Sequence, residues 1–221
     1  MKQNQAGFTL IEIAIVLVII GLLLGGVLKG QELINSAKVK NLATDFRNIP
    51  LFIYGYQDKY RALPGDDNNA STHVGGLTPP SAGSSVPGNG VIEGTWDAGG
   101  TSGHTNDESN LFWQHVRLAN LAAGPTASSG TPPDFRPTNS NGGLIGVTNA
   151  GESPISGMST AGSYVICSSG IQGKFAKQLE ITMDDSSPNT GSMREILQSA
   201  GTGTAAATLD DNLSYIVCMA L

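Results

Sequence analysis

Glu12 is the first side chain in this sequence that is chemically out of place. It lies within FTLIEIAIVLVIIGLLLGGVL, the apolar run from Phe8 to Leu28. A carboxylate at bilayer depth costs about 2.5–3.5 kcal/mol on insertion scales, so it needs a partner or a purpose. No Lys or Arg stands between Lys2 and Lys29. Snorkelling to an interface one turn away is the simple account, and a cation brought from elsewhere is the sharper one.

Other reactive side chains are few. Cys167 and Cys218 are the only cysteines. They are too far apart for a CxxC motif. In an exported domain they form a natural disulfide pair, and in a cytosolic one they are two small buried apolar residues. His73, His104 and His115 are scattered, with no carboxylate pattern around them, so packing or surface roles are expected rather than metal binding or catalysis. No GxSxG elbow, P-loop or dinucleotide fingerprint occurs. No enzyme activity is therefore expected. Three oxygen-rich clusters, Asp66–Asn69, Asp184-Asp185 and Asp210–Asn212, carry ligand types that Ca²⁺ favours. None follows the EF-hand pattern, and Asp and Asn in turns more often bend the backbone. The net charge is −6 with no basic stripe, which argues against a general nucleic-acid grip.

The elements that would position these residues divide the chain sharply. As a helix, the run from Phe8 to Leu28 would be roughly 30 Å long, the thickness of a hydrocarbon core. It is apolar all round, so it does not read as one face of a soluble helix. A signal peptide, a plain signal anchor and a buried core helix are the competing readings. Beyond it, Leu42, Phe46, Ile49, Ile53, Tyr56 and Tyr60 recur at steps of three or four and form one apolar stripe. Pro50 within the stripe predicts a kink or a break into two helices, Gly55 loosens it further, and Leu63-Pro64-Gly65 ends it. Residues 64–110 and 124–163 read as loop-rich surface segments. Leu111 to Leu121 read as a short helix closed by Gly124-Pro125, with Trp113 as a core anchor. Tyr164–Cys167 and Tyr215–Cys218 read as strands, with a helix over Lys174–Met183 between them. If those strands share a sheet, the two cysteines can bridge.

The string Gly7-Phe8-Thr9-Leu10-Ile11-Glu12 resembles the class III signal of type IV pilins and type II secretion pseudopilins. A short charged leader ends in Gly, an aromatic follows, and Glu stands fifth beyond the cut. The resemblance covers the leader, the span and the helix after it. It implies cleavage between Gly7 and Phe8 by a prepilin peptidase, N-methylation of Phe8, and pairing of Glu12 with the Phe8 amine of a neighbouring subunit. It implies an α+β, pilin-like fold, with the long N-terminal helix packed on a C-terminal antiparallel sheet with long loops. Its parts would be a leader over 1–7, a transmembrane and assembly helix over 8–28, an amphipathic continuation over 29–63 and a periplasmic or extracellular head over 64–221. Cys167 and Cys218 are similar in kind to the C-terminal disulfide loop of many pilins. Major pseudopilins carry a calcium site in this region, which makes Asp184 and Asp210 weak calcium candidates; no other cofactor is expected.

The implied partners are like subunits in a filament, the peptidase, an inner-membrane assembly platform and, before assembly, the lipid bilayer. A cytoplasmic N-terminus rests on the resemblance, because Lys29, Lys38, Lys40 and Arg47 beyond the span weaken the charge argument. A pilus-like filament subunit is the leading expectation. A secretion pseudopilin, or a minor tip subunit with an adhesive head, is the alternative.

Overall fold

The computed structural model describes residues 10–79, 86–99, 107–127, 134–158 and 163–221. Helix α1, Leu10–Tyr60, runs for 51 residues. The chain divides into two compact units, Met1–Lys38 and Val39–Leu221, and α1 contributes to both. In the first unit, the described helix from Leu10 to Leu28 buries no side chain. It is long and apolar enough to cross a membrane.

Within the second unit α1 is amphipathic, as its period requires. Leu42, Phe46, Ile49, Ile53 and Tyr56 are all buried, and Leu51 and Tyr54 on the other side are exposed. The helix does not break at Pro50. Proline removes only the bond that its own N–H would make to the Phe46 carbonyl, and packing on both sides of the stripe holds the helix together. Gly55 serves close packing: a Cβ there would stand 3.1 Å from Leu121 Cδ2. Arg61, with φ 57°, takes the left-handed conformation that ends α1.

The rest of the second unit contains α2 (Ala70–His73), α3 (Glu108–Leu118), β1 (Ile145–Asn149), β2 (Tyr164–Gln172), α4 (Gly173–Met183), β3 (Met193–Leu197) and β4 (Ser214–Ala220). The strands form one antiparallel sheet in the order β1-β2-β4-β3. The long N-terminal helix and the C-terminal antiparallel sheet are the expected α+β architecture. Helix α3 stops before Gly124-Pro125, because Asn120 takes φ 61°. Leu121 N–H then donates to the Val116 carbonyl and Asn120 N–H to that of Arg117, which completes a Schellman motif.

Alternation along the strands creates two cores, because successive side chains point to opposite faces. Ile166, Ile171, Tyr215 and Val217 join the α1 stripe, α3 and α4 in one cluster. Val165, Cys167, Ile216 and Cys218 face a second cluster with Trp96, Ile155 and Met158. The segments expected to be surface loops therefore supply core. Ile92, Ile155 and Met158 are fully or almost fully buried. Asn149 N–H donates to the Ile92 carbonyl and Thr148 Oγ1 to that of Gly94, so residues 92–96 lie along β1. At Gly146 a Cβ would overlap the Trp96 carbonyl, so this close approach requires glycine.

Candidate functional site

Glu12 occupies the first turn of α1, where a carboxylate complements the positive end of the helix dipole. Its neighbours Leu10 and Ile11 are 89% and 68% exposed, and apolar exposure continues through Leu28. So large an uncovered apolar surface calls for lipid or other protein. Gly21 and Gly25, like Gly26 and Gly30, are four residues apart, and nothing lies within 4 Å of a Cβ built on any of them. Another helix backbone can approach closely there. Gly7, Phe8 and His104 lie outside the described residues.

In the second unit the turn after α1 is held by buried acids. Asp67 Oδ2 accepts from the Tyr56 hydroxyl at 2.7 Å and from His73 Nδ1 at 2.7 Å, and Oδ1 accepts from Asn69 N–H at 2.9 Å. Burial alone would push the Asp67 carboxyl up, but these bonds outweigh it and hold it below the ordinary carboxylate range. Tyr60 stacks on His73 with centroids 5.4 Å apart. His115 is buried and accepts from Gly65 N–H at Nδ1, while Nε2 donates to the Leu77 carbonyl. Burial pushes its pKa down, which favours this neutral form. Asp66 accepts from the backbone N–H groups of Gly88, Asn89 and Gly90. A cleft of about 540 Å³ opens here, lined by Gln57, Tyr60, Arg61, Asn68, His73 and Tyr164 among others. The Asp67–His73 pair orients an imidazole at its wall. Asp67 also ties α1 to the turn and to α2, a structural clamp that nothing in the spacing of the sequence announced.

The two cysteines are opposite one another in the β2–β4 register and are joined by a disulfide with a sequence separation of 51. Both are fully buried. Of the calcium candidates, Asp184 lies with Glu180 and Asp185, their ligand oxygens within 4.8 Å of one another. Asp210 is not in that group. Its N–H donates to the Tyr215 hydroxyl, and its carboxylate accepts from Asn212 N–H. Glu180 and Glu195, both buried, were not singled out by sequence. The alternation of Met193, Glu195 and Leu197 places a carboxyl at an apolar phase of β3, a signal visible in hindsight.

No curated protein and no solved structure matches the chain. Residues 2–28 match the family described as the prokaryotic N-terminal methylation motif. The matched motif thus takes in the Glu12 turn and the exposed apolar start of α1, and this chain carries the signature of the type IV pilins and pseudopilins at its N-terminus.

Proposed function

We propose that this chain is a structural subunit of a type IV pilus-like filament, processed at its N-terminus and assembled through α1. The observation that carries this reading is the methylation motif over residues 2–28 running directly into an exposed apolar helix. Prepilin peptidase hydrolyses the Gly7–Phe8 bond at the cytoplasmic face, and the freed Phe8 amine is methylated. The span keeps the subunit in the inner membrane until the assembly platform extracts it. Glu12 then meets the Phe8 amine of a neighbouring subunit. That ion pair neutralises two charges that lipid penalises and sets the axial register of the helices. The head ends on the periplasmic or outer side, where an oxidising compartment suits its disulfide.

Purification of sheared filaments with mass spectrometry of the N-terminus tests this reading. We expect a mature chain beginning at methylated Phe8. Gly7→Trp should leave a full-length, membrane-held precursor, and mature chain of normal size from that variant would refute the assigned cut. Glu12→Ala should still be cleaved but be depleted from filaments at least tenfold. Wild-type abundance would remove Glu12 from assembly.

A further inference from the structure

The cleft at the end of α1 is built by two acids that do not serve as its contact groups. Asp66 and Asp67 are 2% and 1% exposed. Each oxygen of Asp66 accepts from backbone N–H groups of residues 88–90, and each oxygen of Asp67 accepts from Tyr56, His73 or Asn69. Both carboxylates are thus enclosed and committed to holding the wall. The groups left at the cleft are of another kind. Gln57 and Arg61 stand one turn apart at the end of α1, and Asn68 and Asn69 follow in the turn. Among the described residues none of these four side chains has a hydrogen-bond partner. The loop through Gly88 packs close behind Asn68: a Cβ on Gly88 would stand 2.9 Å from Asn68 Nδ2.

Arg61 stands where glycine is usual. Its φ of 57° is left-handed, and its N–H donates to the Gln57 carbonyl at 2.9 Å to close the helix. A long side chain in that conformation is strained. The helix dipole does not account for it, because Lys59 already supplies a cation to the last turn from an ordinary helical position. Among the described residues no carboxylate pairs with Arg61. The strained turn therefore presents an unpaired fork of N–H donors at the cleft.

These groups select the ligand by what they donate and accept. Arg61 only donates, and the three amides do both. His73 gives its Nδ1–H to Asp67, so its neutral ring keeps a lone pair at Nε2. A simple anion would satisfy the donors but meet the amide carbonyls, that lone pair and the two carboxylates behind the wall. A cation would find no open carboxylate. Hydroxyl groups, which both donate and accept, match the set. Tyr164 adds an apolar surface, its ring fixed at the wall by the bond from its hydroxyl to the Gly90 carbonyl at 3.0 Å. The ring of Tyr60 is already covered by His73 and by the Lys59 ammonium, 5.0 Å from its centroid. A volume of about 540 Å³ is ordinary for a site that takes a small organic molecule. We propose that this cleft is a saccharide site of the head, taking a neutral sugar unit with adjacent hydroxyls. Arg61 and Gln57 hold a hydroxyl pair, Asn68 and Asn69 hold others, and Tyr164 packs on the C–H face of the ring.

Sugar binding goes beyond filament assembly and is read apart from it, on the full-length chain in a detergent without a sugar head group. The labelled chain is applied in chelator to an immobilised panel of neutral and acidic oligosaccharides, and each neutral sugar that binds is titrated by calorimetry. At least one glycan ending in a neutral hexose or N-acetylhexosamine should bind. Arg61→Gly should weaken that binding by about tenfold. It should melt no lower than the wild type, because glycine takes the left-handed conformation without strain. Saturating the aromatic proton resonances of the wild type should transfer to ring C–H protons of the bound sugar, a readout that needs no variant. No neutral glycan bound, binding unchanged in Arg61→Gly, or no transfer from aromatic protons would each overturn the proposal. Binding confined to acidic glycans would overturn it in favour of an anion site. Binding that appears only with added Ca²⁺ would overturn it in favour of a cation-bridged one.

Discussion

Breaking the Cys167–Cys218 cross-link gives the clearest quantitative test of how the head is held together. The bond joins residues 51 apart in sequence. A closed loop of that size lowers the entropy of the unfolded chain enough to stabilise the fold by about 4 kcal/mol in the loop-closure account. The native sheet should barely change on reduction, since β2 and β4 stay paired by backbone hydrogen bonds on both sides of the cysteines, and the sulfurs still fill the second core. The loss therefore acts through the unfolded state. For a chain of this size about 4 kcal/mol corresponds to a melting shift of about 8–16 °C. The comparison is between oxidised wild type and wild type refolded under reductant, both full-length in detergent, followed by circular dichroism. Because both sulfurs are fully buried, reductant added to the folded protein should act only as fast as the sheet opens. Oxidised and reduced forms melting within about 2 °C of each other would refute the reasoning. Cys167→Ala/Cys218→Ala should fall further than the reduced wild type, by the packing lost in the second core.

Phe46→Ala on the buried stripe of α1 should cost about 3–5 kcal/mol in urea unfolding, whereas Leu51→Ala on the exposed side should stay within about 0.5 kcal/mol. Asp67→Asn should cost about 2 kcal/mol, because the carboxylate gathers hydrogen bonds from Tyr56, His73 and Asn69. Since the folded Asp67 sits below its ordinary value of 3.8, its contribution is present above that pH and is lost as pH falls through the folded value, so the variant should lack the wild type's steepening acid denaturation. Gly146→Ala should destabilise by about 1–3 kcal/mol, read as a lower urea midpoint, because its methyl meets the Trp96 carbonyl.

The features legible in sequence were those with a period or a concentrated run of strand-forming residues. The stripe from Leu42 to Tyr60 repeats at helical spacing, and the two Cys-ending strands are short runs of aromatic and β-branched residues, so both could be placed before any contact was known. β1 was not legible. Ile145–Asn149 is short and contains Gly146, and only pairing with β2 and the approach of residues 92–96 make it a strand. Asp66 and Asp67 read as turn residues. They are buried because backbone N–H groups and two side chains satisfy them, which composition does not show. Glu180 and Glu195 belong to different elements, and nothing in their spacing announces that both are buried. At the N-terminus the reverse holds: the motif was legible because its chemistry is local to one stretch of chain.

The sheet order has a further consequence, for the timing of biogenesis. β4 is the latest strand in chain order, yet it lies between β2 and β3. On the proposed export route, a chain emerging from its N-terminus can form α1, α3 and the β1–β2 pair early, but β3 has no strand neighbour until β4 emerges. Until then the inner edges of two strands are open templates for mispairing. Cys218 sits on that late strand, so its oxidation records sheet completion. If the chain is exported as proposed, thiol trapping during that passage would act as a clock for sheet completion, with full-length chains still carrying free Cys167 marking the interval in which a chaperone has something to protect.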